Sequence, residues 1–374
     1  MIYLDSAATS MPKPLGVYAA ALRAMRRFAS PGRGGHEAAM KAADAVYDCR
    51  KEAGELFGCD PEQVVFTMNA THALNIAIKT LAHSGDEVVI SGFEHNAVVR
   101  PLYAVGADVR IAQSRLFDPD GAVRAFSEAI TENTRAVVCT HVSNVFGYIL
   151  PVDRIAELCN ERGVPLIVDA SQSAGILPVS LRGWNAAFVA MPGHKGLYGP
   201  QGTGILLCGR LPETLIEGGS GSLSELLRMP DFLPDISEAG THNVTGVHAL
   251  CAGIRFVKKR TPEAIFRHEC GLRELLAERV KSSEGIHCFR DPDVQTGVLS
   301  VTADGMDCEL IASELAQRKI AVRAGLHCAP TAHRSAGTLA CGTVRFSFSV
   351  FNTAQSVLFA AEELKKIVKI AKKT

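Results

Sequence analysis

Pro165-Leu166-Ile167-Val168-Asp169 is an apolar run that stops on an acid. Strict alternation of apolar and polar residues marks a strand with one face in water, whereas a short unbroken apolar run fits a strand covered on both faces. Short apolar runs, several of them apolar nearly throughout, recur on either side of this stretch, at 64–67, 87–91, 108–112, 136–140, 186–190 and 204–208. Segments with helical periodicity intervene, among them 70–82, 121–129 and 153–162. Strand and helix in alternation predict an α/β fold with a mostly parallel seven-stranded sheet covered by helices.

From about residue 250 the pattern changes. Helical periodicity at 245–259 and 263–282 leads into shorter strand-like runs at 297–302, 321–324 and 343–347, with helices expected at 308–318 and 354–372. These describe a smaller α+β unit, and the first dozen residues are expected to return and lie against it. The expected division is therefore 13–250 for the large domain and 1–12 with 251–374 for the small one. Segments 218–223 and 229–241 break periodicity and are expected to form a mobile loop and a connector.

Composition narrows the function classes. The chain has 374 residues, 47% hydrophobic and 21% charged, as an ordinary globular protein does. Basic and acidic residues balance at 39 each, so no overall field attracts nucleic acid or an anionic membrane. No apolar run approaches a membrane span and the N-terminus lacks a secretory pattern, so a soluble cytoplasmic protein is expected. Eleven cysteines without a Cys-x-x-Cys argue for free thiols in a reducing compartment. Cys139, Cys159, Cys208 and Cys251 read as small buried hydrophobes. His327, Cys328, His333 and Cys341 follow no zinc spacing, and no metal is expected.

In open α/β sheets, ligands collect beyond the carboxyl ends of the strands. The polar clusters of this chain fall at those positions. After 64–67 come Asn69-Ala70-Thr71-His72, which open a helix and suit a phosphate. After 87–91 come Glu94-His95-Asn96, and after 136–140 come His141-Val142-Ser143-Asn144. The run at 165–169 ends in Asp169 and continues Ala170-Ser171-Gln172. After 186–190 comes Met191-Pro192-Gly193-His194-Lys195-Gly196-Leu197-Tyr198-Gly199-Pro200. Each cluster alone has an ordinary reading as a helix start, a loop tie or a surface histidine. Together they point to pyridoxal phosphate. Lys195 is placed to form a Schiff base with an aldehyde, and Asp169 to keep a pyridine nitrogen protonated.

In their order these motifs resemble the cysteine desulfurase family, in the class V aminotransferase group of fold-type-I pyridoxal phosphate enzymes. The resemblance runs from Tyr3-Leu4-Asp5-Ser6-Ala7-Ala8-Thr9 through Arg33-Gly34-Gly35-His36 and the clusters above. It continues to Glu238-Ala239-Gly240-Thr241 and Arg323-Ala324-Gly325-Leu326-His327-Cys328-Ala329. The resemblance implies that Lys195 carries the cofactor and shuttles the substrate's Cα proton. It implies that His95 stacks on the ring, that Asn144 and Gln172 meet its phenolic oxygen, and that Ala70, Thr71 and His194 hold the phosphate. Thr241 is implied to reach the phosphate of a neighbouring subunit in a homodimer. Arg345 is implied to take the substrate carboxylate as a two-pronged pair, with Arg323 supporting the same end of the pocket.

Cys328 separates the subclasses. An aminotransferase needs the lysine and the acid but no thiol, whereas a desulfurase needs a thiolate that attacks the substrate sulfur and leaves as a persulfide. The expected reaction converts L-cysteine to L-alanine, with sulfur held on Cys328 and passed to an acceptor protein. L-selenocysteine is the alternative substrate. A class V aminotransferase and an inactive sulfur-carrier or scaffold subunit are the alternative functions. Two positions depart from the family pattern. Pro192 stands where many members have serine, which removes a phosphate hydroxyl, and Leu326 stands where a polar residue is frequent.

Overall fold

The computed structural model describes residues 1–31 and 34–371. Arg33, part of one motif above, and Lys372, the last residue of the expected terminal helix, lie outside them. The seven-stranded sheet has the order Val64–Thr67, Gly204–Cys208, Phe188–Pro192, Leu166–Asp169, Thr134–Thr140, Glu87–Ser91, Asp108–Ala112. Gly204–Cys208 runs antiparallel to both neighbours and the other pairings are parallel.

Alternation within the strands explains why the runs had to be apolar. Val89, Val137, Val168, Val189 and Leu207 pack on one face with Phe146, Trp184 and Leu250. Their neighbours Val88, Val138, Ile167, Phe188 and Leu206 pack on the other with Leu74 and Ile78. Successive side chains of a strand point to opposite faces, so a sheet covered twice takes apolar residues at every position. Full burial of a side chain such as Leu74 or Ile78 contributes about 1.5–3 kcal/mol.

The helix Ala70–Leu81 starts where the Asn69 side chain accepts the His72 N–H, and Asn96–Val105 starts where His95 accepts the Ala97 N–H. Both starts lie at strand ends, which brings their first turns to the same edge of the sheet as Asp169.

A second, four-stranded antiparallel sheet has the order Arg323–Gly325, Thr343–Ser347, Val298–Ala303, Ile286–Phe289. The strand expected at 321–324 is in fact two. Ile320–Ala321 pairs in parallel with Ile2–Tyr3, and Arg323–Gly325 pairs with Thr343–Ser347. The backbone changes partners at Val322 because its groups must be satisfied by two different neighbours. The returning N-terminus is thus a strand partner. Also absent from the expected elements are the strand Ile286–Phe289 and the helices Leu15–Arg27, Glu37–Phe57, Asn96–Val105 and Pro330–Ser335.

Helix Val244–Arg260 runs across residue 250 and packs Val247, Leu250 and Ile254 into the core of the large sheet. Segments 218–223 and 229–241 contain one 3-10 turn, Asp235–Ser237. Their end is held by Glu238, a buried carboxylate that accepts from Arg50 at 2.8 Å and from the Phe66 N–H at 2.6 Å. No helix among the described residues is long and apolar enough to cross a membrane.

Candidate active site

A cavity of about 220 Å³ opens at the carboxyl edge of the large sheet. Ala70, Thr71, His95, Asn144, Asp169, Gln172, His194, Lys195, Arg323 and Arg345 all line it. Thr241 does not, and it is exposed. Cys328 lines a neighbouring groove that shares Thr71, His95 and Ala97 with the cavity.

Lys195 is held by a turn with no spare space. A Cβ on Gly193 falls 2.2 Å from the Thr203 hydroxyl, and one on Gly196 falls 2.4 Å from the Ala174 carbonyl. Hydrogen bonds from Gly199 to Gly193 (2.7 Å) and from Tyr198 to Lys195 (2.9 Å) close the turn. The carbonyl of His194 accepts from the Ser10 N–H (2.9 Å) and the Ser10 hydroxyl (3.1 Å). It also accepts from the Thr9 hydroxyl (3.2 Å) and the Lys13 ammonium (3.0 Å). The N-terminal segment therefore clamps the peptide that carries the lysine. Burial pushes the Lys195 ammonium down to about 8, partly opposed by the charge of Asp169. That shift raises the share of uncharged Lys195 amine near neutral pH, the form a nucleophile or base needs.

Asp169 is buried at its strand end, where one oxygen accepts the Ser171 N–H at 2.9 Å. Burial, reinforced by the charge of Lys195, pushes His95 down to about 4, so its ring is neutral at pH 7. Its Nδ1 accepts the Ala97 N–H at 3.0 Å, which leaves the proton on Nε2. Asn144 donates one N–H to the His327 carbonyl (2.8 Å) and Gln172 donates one to the Ala7 carbonyl (3.0 Å). Each amide keeps a second N–H for a ligand.

Arg345 is buried to 1% exposure. It donates to the Asn144 carbonyl at 2.8 Å and pairs with Asp5 at 2.7 Å, while its Nε has no partner. A buried unsatisfied N–H on a charged group is costly, and a carboxylate entering the cavity can relieve it.

These residues fit pyridoxal phosphate on grounds visible in the structure itself. A buried lysine and a buried aspartate face one cavity, and the Oδ1 of Asn144 and the Nδ1 of His194 are buried there without partners. Asn69 caps the helix through the His72 N–H, and among the described residues the N–H groups of Ala70 and Thr71 have no acceptor. Such a helix start is a ready anion site. Pro192 lines the cavity and offers it no hydroxyl.

The Cys328 side is built differently. His327 and Cys328 both have left-handed backbones, with φ of 49° and 57°. The Cys328 carbonyl accepts the Asn96 N–H at 2.7 Å, and its sulfur lies 3.8 Å from an Arg323 nitrogen. Below it, His327 and His333 stack with ring centroids 5.8 Å apart, each bonded to a threonine, Thr343 and Thr338 respectively. Burial pushes His327 down to about 2 and His333 to about 4. Of the cysteines, Cys328 and Cys341 are the exposed ones, whereas Cys139, Cys159, Cys208 and Cys251 are buried.

Sequence reasoning passed over five contributors. Asp5 was quoted within a motif without a role, and Thr9, Ser10 and Lys13 lie in an aperiodic stretch that points to no distant partner. Glu94 was likewise unassigned. It is fully buried and joins two strand ends by accepting from Ser91 (2.6 Å) and the Thr140 N–H (2.7 Å). An acid set inside an otherwise apolar and polar-neutral strand end was the available signal.

The aminotransferase class-V family matches residues 2–358. A probable cysteine desulfurase of Methanothermobacter thermautotrophicus is 34% identical over 381 residues, covering 98% of this chain and 94% of that one. Another from Pyrococcus abyssi is 31% identical, with coverage of 99% and 94%. Among solved structures, the apo structure of a cysteine desulfurase from Thermococcus onnurineus NA1 superposes with a TM-score of 0.91 at 29% identity, covering 98% of this chain and 94% of the other. With the fold, the lysine turn and the strand-end acid in agreement, this chain belongs to the class-V aminotransferase family and, within it, to the cysteine desulfurases.

Proposed function

We propose that this enzyme cleaves the carbon–sulfur bond of L-cysteine, releasing L-alanine and retaining the sulfur as a persulfide on Cys328. The observation that carries the reading is the position of Cys328. It is an exposed thiol beside Arg323, in a groove that shares residues with the Lys195 cavity.

When bound, pyridoxal phosphate supplies an aldehyde for the substrate amine and a protonated ring that accepts the electrons released at Cα. Lys195 would hold it, Asp169 would keep its ring nitrogen protonated, and the neutral His95 would pack against the ring. Ala70, Thr71 and His194 hold the phosphate, and Asn144 and Gln172 use their free N–H groups at the phenolic oxygen. The amine of Lys195 removes the Cα proton of the substrate and carries it. Arg345 takes the substrate carboxylate, helped by Arg323, and this fixes the direction in which the substrate sulfur points. The Cys328 thiolate attacks that sulfur. The bond between sulfur and the substrate's Cβ breaks, the carbon gains a proton, and the two sulfurs stay joined on the protein.

We extend the reading to the assembly. Thr241 is exposed at the end of the anchored connector, and Leu15, Tyr18, Leu22 and Met25 form an exposed apolar stripe along helix Leu15–Arg27. Both features favour a homodimer in which Thr241 serves the partner's phosphate. The free thiols favour a reducing, cytoplasmic setting. The domains are 13–250 and 1–12 with 251–374, joined through helix Val244–Arg260.

The test is Cys328→Ser. This variant binds the cofactor and L-cysteine with the wild-type change in visible absorbance but forms alanine at least about a hundredfold more slowly, because a hydroxyl is a far poorer nucleophile at neutral pH. Wild-type persulfide maps to Cys328 by mass spectrometry and not to Cys341. Full alanine production by Cys328→Ser overturns the reading in favour of a lyase that cleaves the carbon–sulfur bond without a protein thiol, and conversion of L-cysteine to its keto acid without alanine overturns it in favour of an aminotransferase.

A further inference from the structure

The groove that holds Cys328 has a volume of about 360 Å³ and lies outside the cofactor cavity. Asn75, Asn96, Arg100, Pro101 and Ala104 line it together with Cys328. Three features set its chemistry. No carboxylate lines it among the described residues. Arg323 lies 3.8 Å from the sulfur and Arg100 lines the same groove, and among the described residues neither is paired with an acid. Arg345, by contrast, has its charge matched by Asp5. Ala97, Pro101 and Ala104 give the groove small apolar lining.

We propose that this groove is an acceptor subsite that admits a small thiol bearing a carboxylate, with Arg100 binding the carboxylate and the acceptor sulfur directed at Cys328. The proposal rests on the assignment of Cys328 as the persulfide carrier. The acceptor thiolate attacks the outer sulfur of the Cys328 persulfide, the sulfur–sulfur bond breaks, and the Cys328 thiolate leaves. The acceptor departs as a persulfide, and no oxidant or reductant is consumed. In this scheme substrate reaches Cys328 from the cavity and acceptor reaches it from the groove, two spaces that share Thr71, His95 and Ala97. The direction of sulfur flow follows from that arrangement. Arg100 is a specificity residue in this scheme, since it never meets L-cysteine in the inner cavity.

The experiment has two arms on the cofactor-loaded enzyme. In the first, Cys328 is alkylated with iodoacetate or iodoacetamide and the sites are quantified by mass spectrometry. Exposed Cys341 serves as the internal standard for intrinsic reagent reactivity. Wild-type Cys328 favours the anionic reagent relative to Cys341. Arg100→Glu lowers that ratio about tenfold, as reversing one charge at close range does at a partly solvated site, and Arg100→Lys restores most of it. In the second arm the persulfide is loaded with L-cysteine, excess substrate is removed, and discharge is timed with 3-mercaptopropionate, 2-mercaptoethanol and cysteamine, corrected for thiol pKa. The carboxylate thiol is fastest on the wild type, and the order reverses in Arg100→Glu.

Charge-blind alkylation and charge-blind discharge overturn the proposal, and discharge only by a protein thiol overturns it equally. If no persulfide forms on Cys328, the desulfurase reading fails and the acceptor role fails with it. The alkylation arm then still decides whether the groove selects anions, so the two failures are told apart.

Discussion

Gly196, beside Lys195, has a backbone carbonyl 2.4 Å from where its Cβ would be, whereas the nearest atom to a Cβ on Gly325, three residues before Cys328, is a flexible Glu309 oxygen at 3.7 Å. The same contrast runs through both neighbourhoods. Around Lys195 the backbone is held by four donors on the His194 carbonyl and by a closed turn behind the lysine. Around Cys328 the chain is a three-residue strand, two left-handed residues and an exposed thiol. A group that must hold a proton between fixed partners is built on packed turns. A sulfur that must meet both substrate and acceptor is carried on a short loop whose backbone is anchored and whose thiol is exposed.

The largest expected effect tests the rigid half. Asp169→Asn keeps the shape of the strand end and removes the charge that holds the ring nitrogen protonated. An opposite charge at contact shifts a pKa by about one to three units, so turnover falls about ten- to a thousandfold while cofactor binding, read by visible absorbance, persists. Wild-type turnover in this variant removes the acid from the chemistry and leaves the packed turn as mere scaffold.

The glycines test the contrast in stability. Gly196→Ala forces a backbone shift in a closed turn and costs about 1–3 kcal/mol or more. Gly325→Ala has room for its methyl and pays chiefly for a φ of 96°, about 1–2 kcal/mol. Urea unfolding of the two variants ranks them, and a larger loss at Gly325 breaks the comparison. Lys13 comes next. Lys13→Met removes one of the donors to the His194 carbonyl and leaves the others. Loosening the lysine turn by a fraction of an ångström lowers kcat about tenfold with KM little changed, and Lys13→Arg recovers part of it. A change confined to KM places Lys13 at the substrate and not behind the lysine.

The rigid half was also the legible half. Seven strands and most of the helices between them, though not Asn96–Val105, follow from short runs such as 165–169, because a doubly covered strand leaves little choice of residue type. The cofactor residues were legible for the related reason that strand ends at one edge of a parallel sheet converge. Contacts across long sequence separations were not. Asp5 reaches Arg345, and Lys13 reaches His194, through a two-residue strand whose register no local pattern encodes. The split between Ile320–Ala321 and Arg323–Gly325 is of the same kind, since the exchange of partners is decided by the neighbours and not by the run itself. The placement of Cys328 outside the cofactor cavity also needed the fold, since its motif says that a thiol is near the substrate but not which way it faces.

Glu94 offers the smallest effect and the finest test, because it belongs to both halves. Its carboxyl joins the ends of Glu87–Ser91 and Thr134–Thr140 on the rigid side, and its carbonyl accepts the Thr331 hydroxyl at 2.8 Å from the helix just after Cys328. Its second oxygen is buried without a partner, and burial pushes the acid up to about 8, opposed by the hydrogen bonds from Ser91 and Thr140. The folded state therefore binds a proton that the unfolded state releases between about pH 4.5 and 8. Stability from this group is fully present below pH 4.5 and is lost as pH rises through 8. Glu94→Gln keeps the shape and has nothing to titrate. The buried histidines, which lose stability as pH falls below their unfolded value, are common to both proteins and cancel in the difference. The melting temperature of Glu94→Gln minus that of the wild type thus rises by a few °C from pH 5 to pH 9. A flat difference means that Glu94 is ionised throughout. The joint between the two halves would then be an ion held by its donors, and the Cys328 side would be as firmly fixed as the lysine it faces.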